Sequence, residues 1–265
     1  MDFTFFYKLV LSFLVGSVWV TLSTLAAEKY GSKVGGLIGG LPSTVVVALL
    51  FIGLTQSSSA AASATTVVPL AQGINGLFLV AYLYFVRRGL WTGLLLALAV
   101  WATLAGLVLA FGLKNFWISL GGWLVLAVAC ILIVESAMNI PSRKGAKVRH
   151  TRGQVLVRAL FGGTVIAFAV MMGKLGGPVF GGVFSTFPAM FLSTLVITYH
   201  DEGAEFSQAV GKSLMLSGEV NIVLYAVLVR IFYREWGLAL GTAAALVICL
   251  ASGFLLYLYM KKRLS

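Results

Sequence analysis

Of the 8 acidic residues in the 265-residue sequence, Glu219 stands apart. It falls within an apolar run at 209–231, about 10 residues or roughly 15 Å of helix from either end. A carboxylate this deep in a helix of membrane length costs several kcal/mol unless it is paired, protonated or facing water. The chemistry open to it is proton or cation binding. The plainer alternative is a fixed hydrogen bond between helices. Asn221 and Ser217 flank it, and Asn75 falls at a similar place in another run, so these polar side chains could line one pocket or serve helix contacts.

Two Gly/Pro-rich segments form the second candidate site. Pro42 and Pro188 each remove a helical hydrogen bond. Freed carbonyls, together with Ser43, Thr44, Ser185 and Thr186, could coordinate a cation or polar solute. Interrupted segments at matched places in two halves of a chain point to a transport site. Gly36 and Gly40, like Gly177 and Gly181, are spaced for close helix packing.

Secondary candidates lie nearer the ends of the apolar runs. Glu135 is close enough to Ile140 to reach an interface. Asp201, Glu202 and Glu205 sit in an expected loop, either capping the following helix or forming a cation-attracting vestibule. Lys33 and Lys174 could attract an anion or snorkel to the headgroups. Neither His150 nor His200 has partners that suggest catalysis. Cys130 and Cys249 stand alone, without a CxxC motif, and no G-x-x-x-x-G-K-[ST] loop is present. The sequence therefore suggests no metal, cofactor or enzyme.

These residues need elements that can hold them in lipid. The chain is 60% hydrophobic and 10% charged, with mean hydropathy +1.02. A soluble domain carries about 25% charged residues. The net charge of +11 suits short loops beside anionic headgroups better than nucleic acid. Apolar runs of spanning length are expected near 8–26, 34–54, 66–86, 90–112, 116–138, 155–172, 178–198, 209–231 and 237–259. Nine spans with the N-terminus outside and the C-terminus inside place most of the 19 Lys and Arg residues on the inner side, including the basic stretch 141–153. This implies a multi-pass protein of a prokaryotic inner membrane.

The chain repeats itself. Lys33-Val-Gly-Gly-Leu-Ile-Gly-Gly-Leu-Pro-Ser-Thr44 matches Lys174-Leu-Gly-Gly-Pro-Val-Phe-Gly-Gly-Val-Phe-Ser-Thr186 with one inserted residue. Residues 1–112 then form one four-helix repeat. Residues 113–154 hold a linking helix and a basic loop, and 155–265 form the second repeat. A shift of five helices inverts the second copy, the arrangement found in secondary transporters.

The segment Gly177–Tyr225, with Gly-Gly-Val-Phe-Ser-Thr-Phe-Pro and His200-Asp-Glu-Gly-Ala-Glu205, resembles the small four-helix GlpM-type membrane proteins. The resemblance covers about 50 residues and implies a fused tandem version of that fold, with a membrane role but no substrate. The first half departs from it, having Gln56-Ser-Ser-Ser-Ala-Ala-Ala-Ser63 where the second has the acids.

The expected fold is thus all-α and polytopic, with two inverted four-helix repeats around an extra helix. The expected function is secondary transport of a small solute or ion, coupled to a proton or cation. A lipid-handling protein or flippase, or a channel, is the alternative. The partners implied are the lipid bilayer and an unknown small solute or ion, with no nucleic acid, and an oligomer stays open.

Overall fold

The structure is a computed structural model that describes the backbone of residues 3–39, 42–138, 140 and 151–263. Side chains are described over 3–25, 42–136, 138, 140 and 151–255. The elements are helices: α1 (Phe3–Gly39), α2 (Ser43–Thr55), α3 (Ser58–Ala64), α4 (Val68–Phe85), α5 (Leu90–Phe111), α6 (Phe116–Leu132), α7 (Arg152–Leu175), α8 (Pro178–Ser185), α9 (Ala189–Glu202), α10 (Ala204–Glu235) and α11 (Gly237–Arg263). Among the described residues, eight helical stretches are long and apolar enough to cross a membrane. The protein is an all-α, multi-pass membrane protein.

The outward faces of α1, α5, α6 and α11 carry Leu14, Leu95, Val125 and Leu240 in the open. Water would reject that surface, but lipid accepts it. The spans over α4, α8–α9 and α10 are the central ones, 61–67% buried against 22–28% for the four outer spans. The candidate residues ride mainly on these central helices.

Several expected boundaries are corrected. The polar stretch 27–33, read as a loop, lies inside the continuous helix α1; no proline occurs before Pro42 to stop it. The expected span 34–54 is therefore replaced by the end of α1 and the 13-residue α2. The expected span 178–198 is two helices, α8 and α9, parted at Thr186-Phe187-Pro188. Pro188 has no N–H to continue the ladder. The expected loop between the spans 178–198 and 209–231 shrinks to a turn at Gly203, whose φ of +83° suits a residue without a Cβ. Asp201 and Glu202 thus end α9 and do not cap α10; only Glu205 lies in the first turn of α10.

The repeat register also differs. Ser43-Thr44 opens α2, whereas Ser185-Thr186 lies at the end of α8, so the two pairs stand on opposite sides of their breaks. The matched residues are the prolines. Pro42 precedes α2 with φ −73° and ψ 50°, and Pro188 precedes α9 with φ −75° and ψ 41°. The offset of 146 residues that carries Pro42 to Pro188 also carries Asn75 to Asn221, Gly16 to Gly162 and Val20 to Ile166.

Helix α1 packs along α7 through small residues. A Cβ on Gly16 would come within 2.6 Å of Ile166, and one on Gly162 within 2.7 Å of Val20. The two helices run antiparallel. Lys8, at the start of α1, donates to the Leu54 carbonyl of α2 at 2.6 Å. Gly173, near the end of α7, also packs against the closing turns of α2, at Ile52 and Gln56. Helices α4 and α10 are antiparallel too: Gln208 donates to the Leu83 carbonyl, and Arg230 to Thr66.

Candidate functional site

The break between α8 and α9 faces the start of α2. Their ends border a cavity of about 20 Å³ lined by Ser43, Thr44, Val45, Asn75, Thr186, Phe187, Pro188, Met190, Phe191 and Ile222. That is room for about one water molecule. Helix α2 leaves the cavity toward the Lys8 end of the bundle. Helix α9 leaves it toward the opposite end, where α10 begins beside the C-terminus of α4. At 1.5 Å per residue each spans about 20 Å, so their shared origin lies near mid-depth.

Asn75 organises the wall. Its side-chain amide donates to the Thr186 carbonyl at 2.8 Å and to Gln72 Oε1 at 3.1 Å. Both partners are acceptors, which fixes the orientation of the amide. Its Oδ1 is buried and has no hydrogen-bond partner. The break thus exposes a carbonyl that a side chain from α4, 111 residues away in sequence, satisfies. Ser185 and Thr186 turn their hydroxyls back onto the Gly182 and Val183 carbonyls. Thr186 lines the cavity; Ser185 is not among its lining residues. Ser43 and Thr44 are only 6% and 8% exposed, and their hydroxyls make no hydrogen bond among the described residues.

Glu219 is 2% exposed, on the neighbouring α10. Trp123 Nε1 of α6 donates to its Oε2 at 2.8 Å, and its Oε1 has no hydrogen-bond partner. Gly76 of α4 leaves the carboxyl its space: a Cβ there would lie 2.7 Å from Oε1 and 3.2 Å from Cys130 Sγ. Gln72, which anchors Asn75, also lies beside Gly218. Ile222, one turn beyond Glu219, reaches the cavity wall. A polar strip therefore runs from the carboxyl past Gln72 and Asn75 to the break.

The structure separates other residues that the sequence grouped. Asn221 lies about 200° round α10 from Glu219; its carbonyl accepts a contact from Cys249 of α11 at 3.7 Å. It does not line the cavity, and both polar atoms of its buried side chain are without a partner. Glu135 is exposed and pairs with Lys212 at 3.8 Å. Asp201, Glu202 and Glu205 are exposed, as is Lys174 in the last turn of α7. The side chain of Lys33, and His150, lie outside the described residues.

Trp123, Gln72 and Gly76 went unnoticed in the sequence, and Cys130 was read there only as a lone thiol. A tryptophan in an apolar run reads as lipid-facing, and nothing local marks one that turns inward. Among the described residues no group of three His, Cys, Asp or Glu side chains could hold a metal ion.

One family model, described as protein of unknown function (DUF3147), matches residues 9–137 and 155–262, two regions consistent with a repeat. No curated protein and no solved structure matches the chain. The matched regions take in both sides of the cavity and the helix bearing Glu219, and on that coverage the chain belongs to the DUF3147 family.

Proposed function

We propose that the protein is a secondary transporter of a small solute or ion, built from two inverted repeats and coupled to protons through Glu219. The observation that carries this is the mid-depth cavity where α2 and α9, pointing in opposite directions, both begin at a proline-marked break. Broken helices that meet at the midplane of inverted repeats are where such transporters bind their cargo.

The contacts of α1 with α7 support the inversion. Gly16 meets Ile166 and Gly162 meets Val20, and the offset of 146 exchanges the two pairs. Reciprocal contacts of this kind are the signature of a two-fold axis. Because the helices are antiparallel, that axis lies in the membrane plane. A fused pair of this kind also fits the likeness of Gly177–Tyr225 to GlpM-type proteins. The charge distribution favours an inner-membrane protein with its N-terminus outside.

Glu219 suits proton carriage because it is central, has one unpartnered oxygen, and adjoins the polar strip to the cavity. Cys130 is a titratable side chain that borders the same space at Gly76 as its Oε1. The small volume of the cavity favours a carrier over a channel with a continuous path.

The test is uptake by proteoliposomes holding the full chain, with and without a pH gradient, over a panel of small solutes. Gradient-driven uptake that disappears in Glu219→Gln is the expected result. Gradient-driven uptake undiminished in Glu219→Gln would make Glu219 structural. Uptake of no solute would leave the transporter reading without its central claim.

A further inference from the structure

Helices α2 and α9 both start without a side-chain cap. The first N–H groups of a helix have no intrahelical acceptor, and the summed peptide dipoles make that end positive. Thr44 and Val45 of α2, and Met190 and Phe191 of α9, belong to these first turns, and all four line the cavity. In α9 the Ala189 N–H is already taken by the Phe187 carbonyl, so the next two are the open ones. Two positive helix ends thus converge on one small cavity.

A second observation points to a ligand there. Ser43 and Thr44 are more than nine-tenths buried, line the cavity, and have hydroxyls without a hydrogen-bond partner among the described residues. Buried polar side chains are ordinarily satisfied. The open N–H groups and the two hydroxyls can all donate into the cavity, Asn75 Oδ1 is an unpartnered acceptor at its wall, and among the described residues no acidic side chain lines it. Glu219 stands one wall away, engaged by Trp123. A cation would meet two positive helix ends with no countercharge in the lining.

We propose that this cavity binds a small anion of single charge, held by the open N–H groups of α2 and α9 and by the Ser43 and Thr44 hydroxyls. The inference rests on the transporter reading for its role as cargo site, but anion binding can be measured without transport. Under that reading, an anion in the cavity and a negative carboxylate at Glu219 repel one another. Anion and proton then enter together, with the proton on Glu219, and leave together.

The experiment is thermal unfolding of the detergent-purified full chain in sodium chloride, formate or nitrate, against sodium gluconate at equal ionic strength. Gluconate has the same charge but is too large for the cavity. The expected result is a Tm about 3 °C or more higher in at least one small anion than in gluconate. That rise should shrink in the Ser43→Ala/Thr44→Val double variant and persist in Gly106→Ala, where a Cβ meets nothing within 4 Å. Equal Tm values in gluconate and in all three small anions would overturn the proposal. So would a rise that follows the cation when sodium is replaced by potassium or choline at constant chloride. If the double variant does not fold, the wild-type anion and cation series decide the matter alone. A small-anion rise combined with loss of all transport would sink the transporter reading and leave the anion site standing.

Discussion

Trp123 of α6 holds Glu219 of α10 by a single indole hydrogen bond of 2.8 Å, across 96 residues of sequence. The contact joins α6 to the most buried acid among the described residues. Trp123→Phe keeps an aromatic side chain, loses the second ring of the indole and deletes the donor. A buried acceptor that loses its partner costs about 1–3 kcal/mol. We expect a lower Tm in detergent, by several degrees, and a changed pH profile of uptake. An unchanged Tm together with an unchanged profile would show that the bond supports neither folding nor the carboxyl.

Gly76 tests the space around the same carboxyl. In Gly76→Ala the new methyl would sit 2.7 Å from Glu219 Oε1 and 3.2 Å from Cys130 Sγ. Overpacking of this kind typically costs about 1–3 kcal/mol. Gly106 is the control, because a Cβ there meets nothing within 4 Å. We expect Gly76→Ala to lower stability and transport, while Gly106→Ala leaves both intact.

The reciprocal pairs between α1 and α7 allow a test of the repeat. Gly16→Ala would press on Ile166, and Gly162→Ala on Val20. If a two-fold axis relates the pairs, the two variants should lose similar stability. Each should recover part of it when its neighbour is trimmed, by Ile166→Ala or Val20→Ala respectively. Thermal unfolding of the four proteins is the measurement, and losses that differ severalfold would count against the axis.

Asn75 makes the one described side-chain bond to the break carbonyl of Thr186. Asn75→Leu would strand that carbonyl and close the polar strip. We expect transport to fall at least tenfold, with a Tm loss smaller than that of Gly76→Ala. Uptake at the wild-type rate would remove Asn75 from the site.

Much of this was legible because lipid makes simple demands. Apolar runs of about 20 residues located most spans, and Pro188 announced its break by lacking an N–H. The loop expected before Lys33 was not found, since Glu28, Lys29 and Lys33 are polar without being helix breakers. The Gly-Gly and Ser-Thr spacing pairs the two segments four residues away from the pairing of Pro42 with Pro188, because small residues recur for many packing reasons. The prolines differ from them in that each sets the backbone angle that opens a helix. The partnership of Glu219 with Trp123 had no local signature: it depends on how α6 lies against α4 and α10.

The short length of α2 and α9 has an electrical consequence. Each covers about 20 Å between the cavity and one face of the bilayer. A charge in the cavity therefore sits near half of the transmembrane voltage drop. Moving a full charge through the whole drop is worth about 2.3 kcal/mol per 100 mV, so occupying the cavity from one side is worth roughly 1 kcal/mol. An anion that arrived alone would find its affinity set by the resting potential. One that arrived with a proton would carry no net charge and would load equally well at any voltage.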